Sequence, residues 1–543
     1  MSLRLALFAV AATVVATAQQ PDAKSTATIS GRTLALGGQP LRKATITLRP
    51  AGMARPRDSS MTSDADGNFT FEGIAAGRYQ LWVERPGYLR QTYGAKRPGG
   101  AGSTLTVMPG QQVKDLVIEL TPQGAIAGKV VDEDGDPVAR SNVMAVSYTY
   151  ANGKWQLVPR ERTTTDDGGE YKVTALAPGR YYVVAGASGG SAAPPKPDKP
   201  EAEYVRTWYP SVTDAGSATP VDVGAGQTIA GTEIRLRRSQ VVRIKGRVLP
   251  GTPDSNPHRL SVELLPREGF AFGGFHGQVA NDGSFTVAHV PPGSYSIIAT
   301  NVDGPIQVCA RQPIDIGTHD IEDLVLTVQP LIELRGTVKM EGEPEQATSA
   351  RVLLSPSDGL AITGAPDATA KDDGTFVFAG IVPGRYRVNA FATGPGRYVK
   401  AIRYGNQDVL ATGIDLSQGA GGALQVLFSS KGAEVSGTVQ ADGQPVPAGT
   451  VTLIPDPPSD QFRYRQTPVD QNGQFSLRDV APGDYRVYAW EDLEPGAQFD
   501  PEFLKPLEGQ GTRISAGENG HERVTLTRIS IAAAEDSRRR SGR

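Results

Sequence analysis

The fold of this chain is decided by the stretch from Asp372 to Ala390, which reads DDGTFVFAGIVPGRYRVNA. Two turn signals, Asp373-Gly374 and Pro383-Gly384, stand ten residues apart within it. The first pair favours the positive φ of a hairpin turn, and the second favours another tight turn. Apolar and polar residues alternate from Tyr386 onward, as in a strand with one buried face. The stretch therefore predicts two β-strands joined by tight turns.

The same pattern occurs five times along the 543 residues. Each copy also opens with a strand centred on a glycine, and successive central glycines lie 97, 118, 90 and 101 residues apart. A repeat of about 100 residues has the size of a seven-strand β-sandwich and is too long for a solenoid repeat that folds only with its neighbours. The paired turn glycines are Gly67 and Gly77, Gly169 and Gly179, Gly283 and Gly293, Gly374 and Gly384, and Gly473 and Gly483; the central glycines are Gly31, Gly128, Gly246, Gly336 and Gly437.

We therefore predict an all-β protein of five tandem, Ig-like, seven-strand β-sandwich domains arranged as a string or rod. We call these predicted domains units. No helical period is found after the signal peptide, and Gly-Gly, Pro-Pro and Lys-Pro pairs indicate a mobile surface loop inside the second unit. The predicted segments are a signal peptide (1–18), an N-terminal tail (19–27), unit 1 (28–121), unit 2 (122–237, with the loop at 186–203), unit 3 (238–329), unit 4 (330–430), unit 5 (431–530) and a polar, solvated C-terminal tail (531–543).

The repeated motifs resemble a known family, the carboxypeptidase regulatory-like domain. The resemblance rests on the glycine-centred first strand, on Asp-Gly-x-Phe, and on Pro-Gly-x-Tyr at the start of the next strand, and it covers nearly all of residues 28–530. Gly168-Gly169 replaces Asp-Gly in unit 2, and Ala76 replaces the usual proline in unit 1. The resemblance implies a transthyretin-like β-sandwich, grouped with Cna-B-type and carbohydrate-binding-like folds. Since such domains are accessory modules on enzymes, transporters and surface proteins, it leaves the function open.

The first eighteen residues predict export. Arg4 supplies a positive charge, Leu5 to Val15 form an apolar segment, and Ala16-Thr17-Ala18 supplies a cleavage site. The apolar segment is shorter than the roughly 20 residues that span a bilayer. The single cysteine, Cys309, has no partner for an internal disulfide. We expect an extracytoplasmic protein, periplasmic or secreted, without a membrane span.

The composition argues against two classes of partner. The chain has 55 Lys and Arg against 58 Asp and Glu, a formal net charge of -3. This balance supplies no field that would attract nucleic acid or anionic lipid. Glycine and proline together make up about a fifth of the chain, which suits turn-rich β structure better than a disordered chain.

The sequence offers no constellation of catalytic residues, and we predict neither an enzyme nor a bound metal or cofactor. The zinc-like spacing His319-x-x-Glu322 lacks the third ligand and the catalytic domain that a zinc enzyme needs. By alignment of the repeats, His319 falls in the turn before the last strand of its unit. No Gly-x-Ser-x-Gly motif or phosphate loop is present.

The best candidate for a binding site is a triplet of aromatic, aliphatic and basic residues that follows the tyrosine strand in every unit except unit 3. An aromatic ring beside a cation suits a sugar or a protein partner. The alternative is strand packing, in which the aromatic side chain faces the core and the basic one faces water. The candidate site residues are Tyr88, Arg90, Tyr93, Tyr204, Arg206, Trp208, Tyr209, Tyr398, Lys400, Tyr404, Phe503 and Lys505.

A second set of aromatic residues lies on the outward face of the tyrosine strand by the period-two rule. These residues either cover a neighbouring segment or form another platform. They are Trp82, Tyr182, Phe391, Tyr488 and Trp490.

The sequence therefore favours a non-catalytic, exported, multi-domain binding or scaffold protein. Its expected partner is a polysaccharide or another component of the cell envelope, such as an envelope protein. The alternative is a structural spacer or protein–protein adhesion module that binds no small ligand.

Overall fold

The computed structural model describes residues 26–51, 57–100, 102–151, 153–186, 202–251, 260–267, 275–301, 308–342, 350–359, 366–394, 396–447, 449–458 and 463–540. The predicted signal peptide, most of the N-terminal tail and most of the loop at 186–203 lie outside the described residues. Regular structure in the described residues is almost entirely β-strand, which confirms the all-β fold class. The unit names are kept for the same stretches of sequence, whose boundaries and number as separate domains stay a prediction.

Unit 1 contains β1 (Ala27–Ala35), β2 (Thr45–Pro50), β3 (Ser59–Thr62), β4 (Asn68–Ile74), β5 (Gly77–Glu84), β6 (Gln91–Thr92), β7 (Leu105–Val107) and β8 (Gln112–Leu120). These strands form two sheets. One has the order β4-β1-β8, and the other has the order β3-β2-β5-β6, with β7 also paired to β5.

Unit 2 contains β9 (Gly124–Val131), β10 (Asn142–Ala151), β11 (Lys154–Thr164), β12 (Glu170–Leu176), β13 (Gly179–Gly186), β14 (Ala202–Tyr204), β15 (Thr207–Trp208), β16 (Val221–Val223), β17 (Thr228–Ile229) and β18 (Ile234–Arg235), with a short 3-10 helix at Ala215–Ser217. Its main sheets have the orders β12-β9-β17 and β11-β10-β13-β15, and β18 and β16 pair with β9 and β13.

Unit 3 contains β19 (Arg238–Gln240), β20 (Val242–Pro250), β21 (Leu260–Pro266), β22 (Phe275–Gln278), β23 (Ser284–Val290), β24 (Gly293–Asn301), β25 (Val308–Ile316) and β26 (Ile321–Pro330). β19 pairs with β14 of unit 2. The other strands form one continuous sheet, in the order β22-β21-β24-β25-β26-β20-β23.

Unit 4 contains β27 (Ile332–Met340), β28 (Ala350–Pro356), β29 (Asp367–Thr369), β30 (Thr375–Ile381), β31 (Arg385–Ala392), β32 (Tyr398–Tyr404), β33 (Gln407–Asp408), β34 (Ile414–Asp415) and β35 (Leu424–Ser429). Its two sheets have the orders β30-β27-β35-β32-β33 and β29-β28-β31-β34.

Unit 5 contains β36 (Ala433–Ala441), β37 (Gln444–Pro445), β38 (Thr450–Pro455), β39 (Arg465–Pro468), β40 (Gln474–Val480), β41 (Gly483–Trp490), β42 (Thr512–Ala516) and β43 (His521–Ile529). The central order is β37-β36-β43-β41-β38-β39, with β40 paired to β36 and β42 paired to β41.

One pairing recurs in all five units. The first strand pairs antiparallel with the strand after the Asp-Gly or equivalent turn and parallel with a strand near the end of the unit. The central glycine lies where these strands approach most closely. A Cβ atom on Gly437 would lie 1.8 Å from the carbonyl oxygen of Val524, and one on Gly246 would lie 2.0 Å from that of Leu324. Close approach of backbones therefore explains why each first strand is centred on glycine.

A tyrosine at the start of the following strand is tied to the turn before it. The hydroxyl of Tyr79 donates to the carbonyl oxygen of Ala75 at 2.9 Å, and that of Tyr386 donates to Val382 at 2.5 Å. The same bond to the residue four positions earlier is made by Tyr181, Tyr295 and Tyr485. Because the hydrogen bond satisfies a hydroxyl on a packed ring, the Pro-Gly-x-Tyr motif specifies both a turn and a core position.

Each unit contributes its own cluster of buried apolar side chains. The clusters draw on residues 27–120, 126–236, 242–328, 332–428 and 433–526. The alternating residues after each tyrosine, such as Leu81 and Val83 in unit 1, are fully buried in these clusters. The predicted period-two pattern therefore identifies the core faces correctly.

The units also contact one another, and not only in sequence order. Asp492 of unit 5 pairs with Arg97 of unit 1, with 2.6 Å between Oδ2 and Nε. The Gln471 side chain bonds both backbone groups of Thr106, accepting at 3.0 Å and donating at 2.7 Å. The first unit thus touches the last.

Unit 5 also contacts unit 2. The indole Nε1 of Trp155 donates to Oδ2 of Asp500 at 2.9 Å. A string or rod keeps its first two members away from its fifth, so the predicted arrangement is wrong. The β-sandwich pattern specified each unit, but these cross-contacts come from isolated surface side chains that follow no sequence period.

The C-terminal tail is also different from the prediction. Residues Ile531–Arg540 form helix α2, and Pro501–Leu504 form the short helix α1, flanked by 3-10 turns at Ala497–Phe499 and Lys505–Gln510. Ala533 and Ala534 of α2 pack on an apolar cluster of unit 5, and the Ser537 hydroxyl donates to the carbonyl oxygen of Phe503 at 2.5 Å. A four-residue helix is too short to show a period, and the described part of α2 packs on unit 5 through two partly buried alanines and the small polar Ser537, so neither helix produced a helical signal in the sequence.

Candidate functional site

The triplet of unit 1 lies beside β5. Tyr88 is half-buried, and the guanidinium of Arg85 lies 5.3 Å from the centre of its ring. Arg90 is exposed and lies over the ring of Trp82 at 4.3 Å. The other predicted residue, Tyr93, is half-buried against the core of the unit, and burial raises the pKa of its hydroxyl.

Tyr88, Arg85 and Arg90 line a shallow groove. It has a volume of about 350 Å³ and is lined by Thr45, Glu84, Arg85, Pro86, Tyr88 and Arg90. Arg90 Nε lies 3.7 Å from Oε1 of Glu84, an exposed and loose ion pair. The groove therefore presents two guanidinium groups, one carboxylate and two hydroxyls.

Arg49 adds a third guanidinium near this groove. It lies over Trp82 at 4.9 Å, and its Nε and a terminal nitrogen donate to the Asp58 carboxylate at 2.8 and 2.6 Å. This hydrogen-bonded pairing lowers the pKa of Asp58 and keeps it ionised. Trp82 is buried under Arg49 and Arg90, so its ring offers little open surface to a ligand.

In unit 2 the triplet lies toward unit 3. Tyr204 is half-buried under the guanidinium of Arg238 at 4.7 Å, and Arg238 also donates to the Tyr204 hydroxyl at 3.1 Å. Burial lowers the pKa of Arg206, whose charge acts on Tyr295 of unit 3. Trp208 is buried in a small apolar cluster, and Tyr209 packs against the core of the unit.

The triplet of unit 4 lies toward unit 5. Tyr398 is buried, and Lys400 pairs with Glu341 and, at 3.7 Å, with Glu518 of unit 5. The hydroxyl of Tyr404 accepts hydrogen bonds from the backbone N–H groups of Gly421 and Gly422 at 2.7 and 3.2 Å. Tyr404 therefore fixes the loop at Gly421 and Gly422, and Lys400 contacts unit 5 at its border with unit 4.

In unit 5 the aromatic member is again packed. Phe503 is buried, with its ring 5.8 Å from that of Trp490, whereas Lys505 is exposed. The triplets therefore have different surroundings in the four units, and Tyr88 and Arg90 of unit 1 line a groove. The buried rings of Tyr398 and Phe503 and the exposed Lys505 fit the strand-packing alternative, whereas Arg206 is itself partly buried. Ligand binding by these residues stays a prediction.

The outward face of the tyrosine strand differs between units. In unit 5 it carries Tyr488 and Trp490, which are buried beneath Phe503, Leu504 and Leu507. The corresponding face of unit 2 is covered by Trp208 and neighbouring residues of its own chain segment. In unit 3, Ile298 and Cys309 pack against Val382 of unit 4.

Unit 4 is the exception to this covering. Phe391 of β31 is 57% exposed, the largest exposed fraction of any aromatic side chain in the described residues. Sequence periodicity placed it on the outward face, but it did not indicate that the covering segment present in units 2 and 5 is missing here. The signal that was available is the short connection of a few residues between β31 and β32, which leaves no room for a covering segment.

The residues that resembled an enzyme site have ordinary surroundings. His319 is exposed, Asp320 accepts the backbone N–H of Arg243 at 2.8 Å, and Glu322 pairs with Lys245 at 2.9 Å. In the part of the chain that the structure describes, no group of three or more His, Cys, Asp or Glu residues could hold a metal ion. Burial raises the pKa of the Cys309 thiol to about 11, so it is not a thiolate at neutral pH.

Comparison with known proteins identifies the first two units. Residues 28–121 and 125–237 each match the family model described as the carboxypeptidase regulatory-like domain. Units 1 and 2 are carboxypeptidase regulatory-like domains. The resemblance stated from the sequence is thereby confirmed for these two copies. No described helix is long and apolar enough to cross a membrane.

Similarity to individual proteins is low. Colossin-A of Dictyostelium discoideum is 23% identical over 374 residues, which cover 64% of this chain and 3% of that protein. The chain therefore spans only a small part of the curated relative that it matches. Among solved structures, the minor pilin GBS52 of Streptococcus agalactiae is 12% identical, with 42% of this chain and 99% of the pilin covered and a TM-score of 0.23. The major pilin subunit BcpA of Bacillus cereus is 10% identical, with 74% and 99% covered and a TM-score of 0.15.

Proposed function

We propose that this protein is a non-catalytic, extracytoplasmic scaffold that binds a carbohydrate or another cell-envelope component. The observation that carries the proposal is the groove of unit 1, where Tyr88 and Arg90 are joined by Thr45, Glu84 and Arg85. Guanidinium and hydroxyl groups at a concave surface are suited to hydrogen bonding with sugar hydroxyls or with acidic groups on an envelope polymer. The predicted export signal supports the location.

The groove lies on a frame whose units contact one another. Ion pairs and hydrogen bonds join unit 1 to unit 5, and unit 4 to unit 5. Fixed relative positions would present a binding surface in a constant orientation, which lowers the entropy lost on binding. The contacts also favour a second candidate function, that of a structural spacer without a small ligand.

A binding screen separates the two functions. The full chain would be screened against purified glycans and polysaccharides, with Arg85→Ala as the test variant. Arg78→Ala, an exposed arginine of the same unit outside the groove, is the matched control. Binding that is weakened at least about tenfold by Arg85→Ala and unchanged by Arg78→Ala supports the proposal. Absence of any glycan binding by the folded wild type would leave the spacer as the better function.

A further inference from the structure

We infer that the groove of unit 1 binds the carboxylate of an acidic sugar, so that its ligand is a uronic-acid polysaccharide and not a neutral glycan. The inference rests on the proposed binding function of this groove and names the class of sugar that the proposal leaves open. It is carried by the charges of the groove, whose lining residues include Arg85, Arg90 and a single acidic residue, Glu84.

Arg85 is a cation without an acidic partner. It is half-buried, and its guanidinium lies over the ring of Tyr88, 5.3 Å from the ring centre. No carboxylate of the described residues forms an ion pair or a hydrogen bond with it. A guanidinium stacked on a ring keeps its N–H donors free around the edge of its plane. Arg85 therefore offers the groove donors of the kind that a carboxylate accepts in pairs.

Arg90 is only weakly engaged with the acidic residue of the groove. Its Nε lies 3.7 Å from Oε1 of Glu84, which is too long for a hydrogen bond, and the two side chains are 53% and 52% exposed. Exposed pairs of this kind contribute little free energy, so a ligand displaces the pair at small cost. The two arginines against one glutamate also leave the groove with a net positive charge, which attracts an anion.

Arg49, beside the groove, shows the bond that Arg85 and Arg90 lack. Its Nε and a terminal nitrogen donate to the two carboxylate oxygens of Asp58 at 2.8 and 2.6 Å, and paired bonds of this type are strong ones. Arg49 and Arg90 both lie over the ring of Trp82, at 4.9 and 4.3 Å. One ring therefore supports a guanidinium that holds a carboxylate through two bonds and another that does not. A carboxylate supplied by a ligand would complete the second.

The rings of the groove are poorly placed for a neutral sugar. A neutral sugar needs an open ring against which its apolar C–H face can pack. Trp82 is only 6% exposed, and the ring of Tyr88 is covered by Arg85. A phosphate monoester fits less well than a carboxylate, because it carries about two negative charges and Glu84 would repel it more strongly. The singly charged carboxylate of a sugar is thus the group that the charges and the rings favour.

Calorimetric titration of the full chain tests the inference. Hexagalacturonate and hexamannuronate are the probes, and the fully methyl-esterified form of each is the matched ligand without charge. Wild type should bind at least one acid about tenfold or more tightly than its ester. Arg85→Ala should weaken that binding by about tenfold or more, whereas Arg78→Ala, outside the groove, should stay within about threefold of wild type.

Glu84→Gln should change binding in the opposite direction. It removes the carboxylate that repels an anionic ligand and competes for Arg90, so the acid should bind about threefold more tightly and the ester should bind as it does to wild type. Because Glu84 is exposed, this variant should melt as wild type does, and the test does not depend on the folding of Arg85→Ala. A segment that acts through packing alone gives no gain in affinity, so unchanged or weaker binding of the acid by Glu84→Gln overturns the inference.

The remaining outcomes separate this inference from the proposed function. If acid and ester bind wild type equally and Arg85→Ala weakens both, the groove binds sugar without reading its charge, and only the inference is overturned. The same holds if wild type binds a neutral glycan but neither uronate, or binds a glycerol phosphate polymer more tightly than both uronates. If wild type binds no glycan of any kind, the proposed binding function falls together with the inference.

Discussion

At the residue scale, one hydroxyl closes the turn before each tyrosine strand. Tyr386 is packed in the core of unit 4 and donates to the carbonyl oxygen of Val382. Tyr386→Phe removes this bond and leaves a carbonyl oxygen without its partner, so the free energy of unfolding should fall by about 1 kcal/mol. Thermal denaturation of the full chain measures the change; an unaltered midpoint would contradict it.

The raised pKa of Tyr386 predicts that the free energy of unfolding falls at alkaline pH. Burial raises the pKa of Tyr386 to about 12 from an ordinary value of 10.0. Because the unfolded chain ionises first, this contribution is complete below pH 10 and is lost as the pH rises toward 12. Melting curves across this range should show a shallower decline for Tyr386→Phe than for wild type.

Glycine at the centre of each first strand is a second requirement at this scale. A Cβ atom on Gly437 would lie 1.8 Å from the Val524 carbonyl oxygen, so Gly437→Ala must push two paired strands apart. We expect a loss of about 3 kcal/mol, at the upper end of the cost of overpacking. Gly517→Ala, where an added Cβ meets nothing within 4 Å, is the control, and urea denaturation of both variants makes the comparison. Equal stability of the two variants would refute the close-approach explanation.

At the element scale, the triplet of unit 5 separates packing from ligand binding. Phe503 is buried under α2 beside Trp490, whereas Lys505 points to solvent. Phe503→Ala should therefore lower the free energy of unfolding by about 3–5 kcal/mol. Lys505→Ala should change it by less than about 0.5 kcal/mol. Chemical denaturation measures both, and a Phe503→Ala variant as stable as wild type would show that the ring is not part of the core.

The same elements explain what the sequence could predict. Gly374, Gly384 and Tyr386 act on their immediate neighbours, through a positive φ at Gly374 and a bond four residues back from Tyr386, so their spacing was sufficient to predict strands and turns. The candidate site was harder. Period two places both Trp490 and Phe391 on an outward face, but only packing with Phe503 decides that one is buried and the other exposed. The alternation of residues within a strand does not indicate whether a distant segment of the chain will pack on its outward face.

At the scale of the whole molecule, the contacts between units 1 and 5 close the chain upon itself. Asp492 is held largely out of solvent by its pairing with Arg97, and burial raises its pKa. Its carboxylate and the Gln471 amide are the two side chains of unit 5 that reach unit 1 in these bonds. A backbone bridge between Thr104 and Asp470 joins the same two units, and we expect the side-chain bonds beside it to be needed to hold them together.

The double variant Asp492→Ala, Gln471→Ala tests this arrangement. It removes the ion pair and both bonds to Thr106, so units 1 and 5 should separate and the radius of gyration in small-angle X-ray scattering should increase. Asp222→Ala, which breaks the exposed Arg180 pair inside unit 2, should leave the scattering curve unchanged. If the double variant scatters as wild type does, contacts other than these hold units 1 and 5 together. If wild type already scatters as a long rod, the closed arrangement does not exist in solution, and the spacer function regains the extended shape that the sequence first suggested.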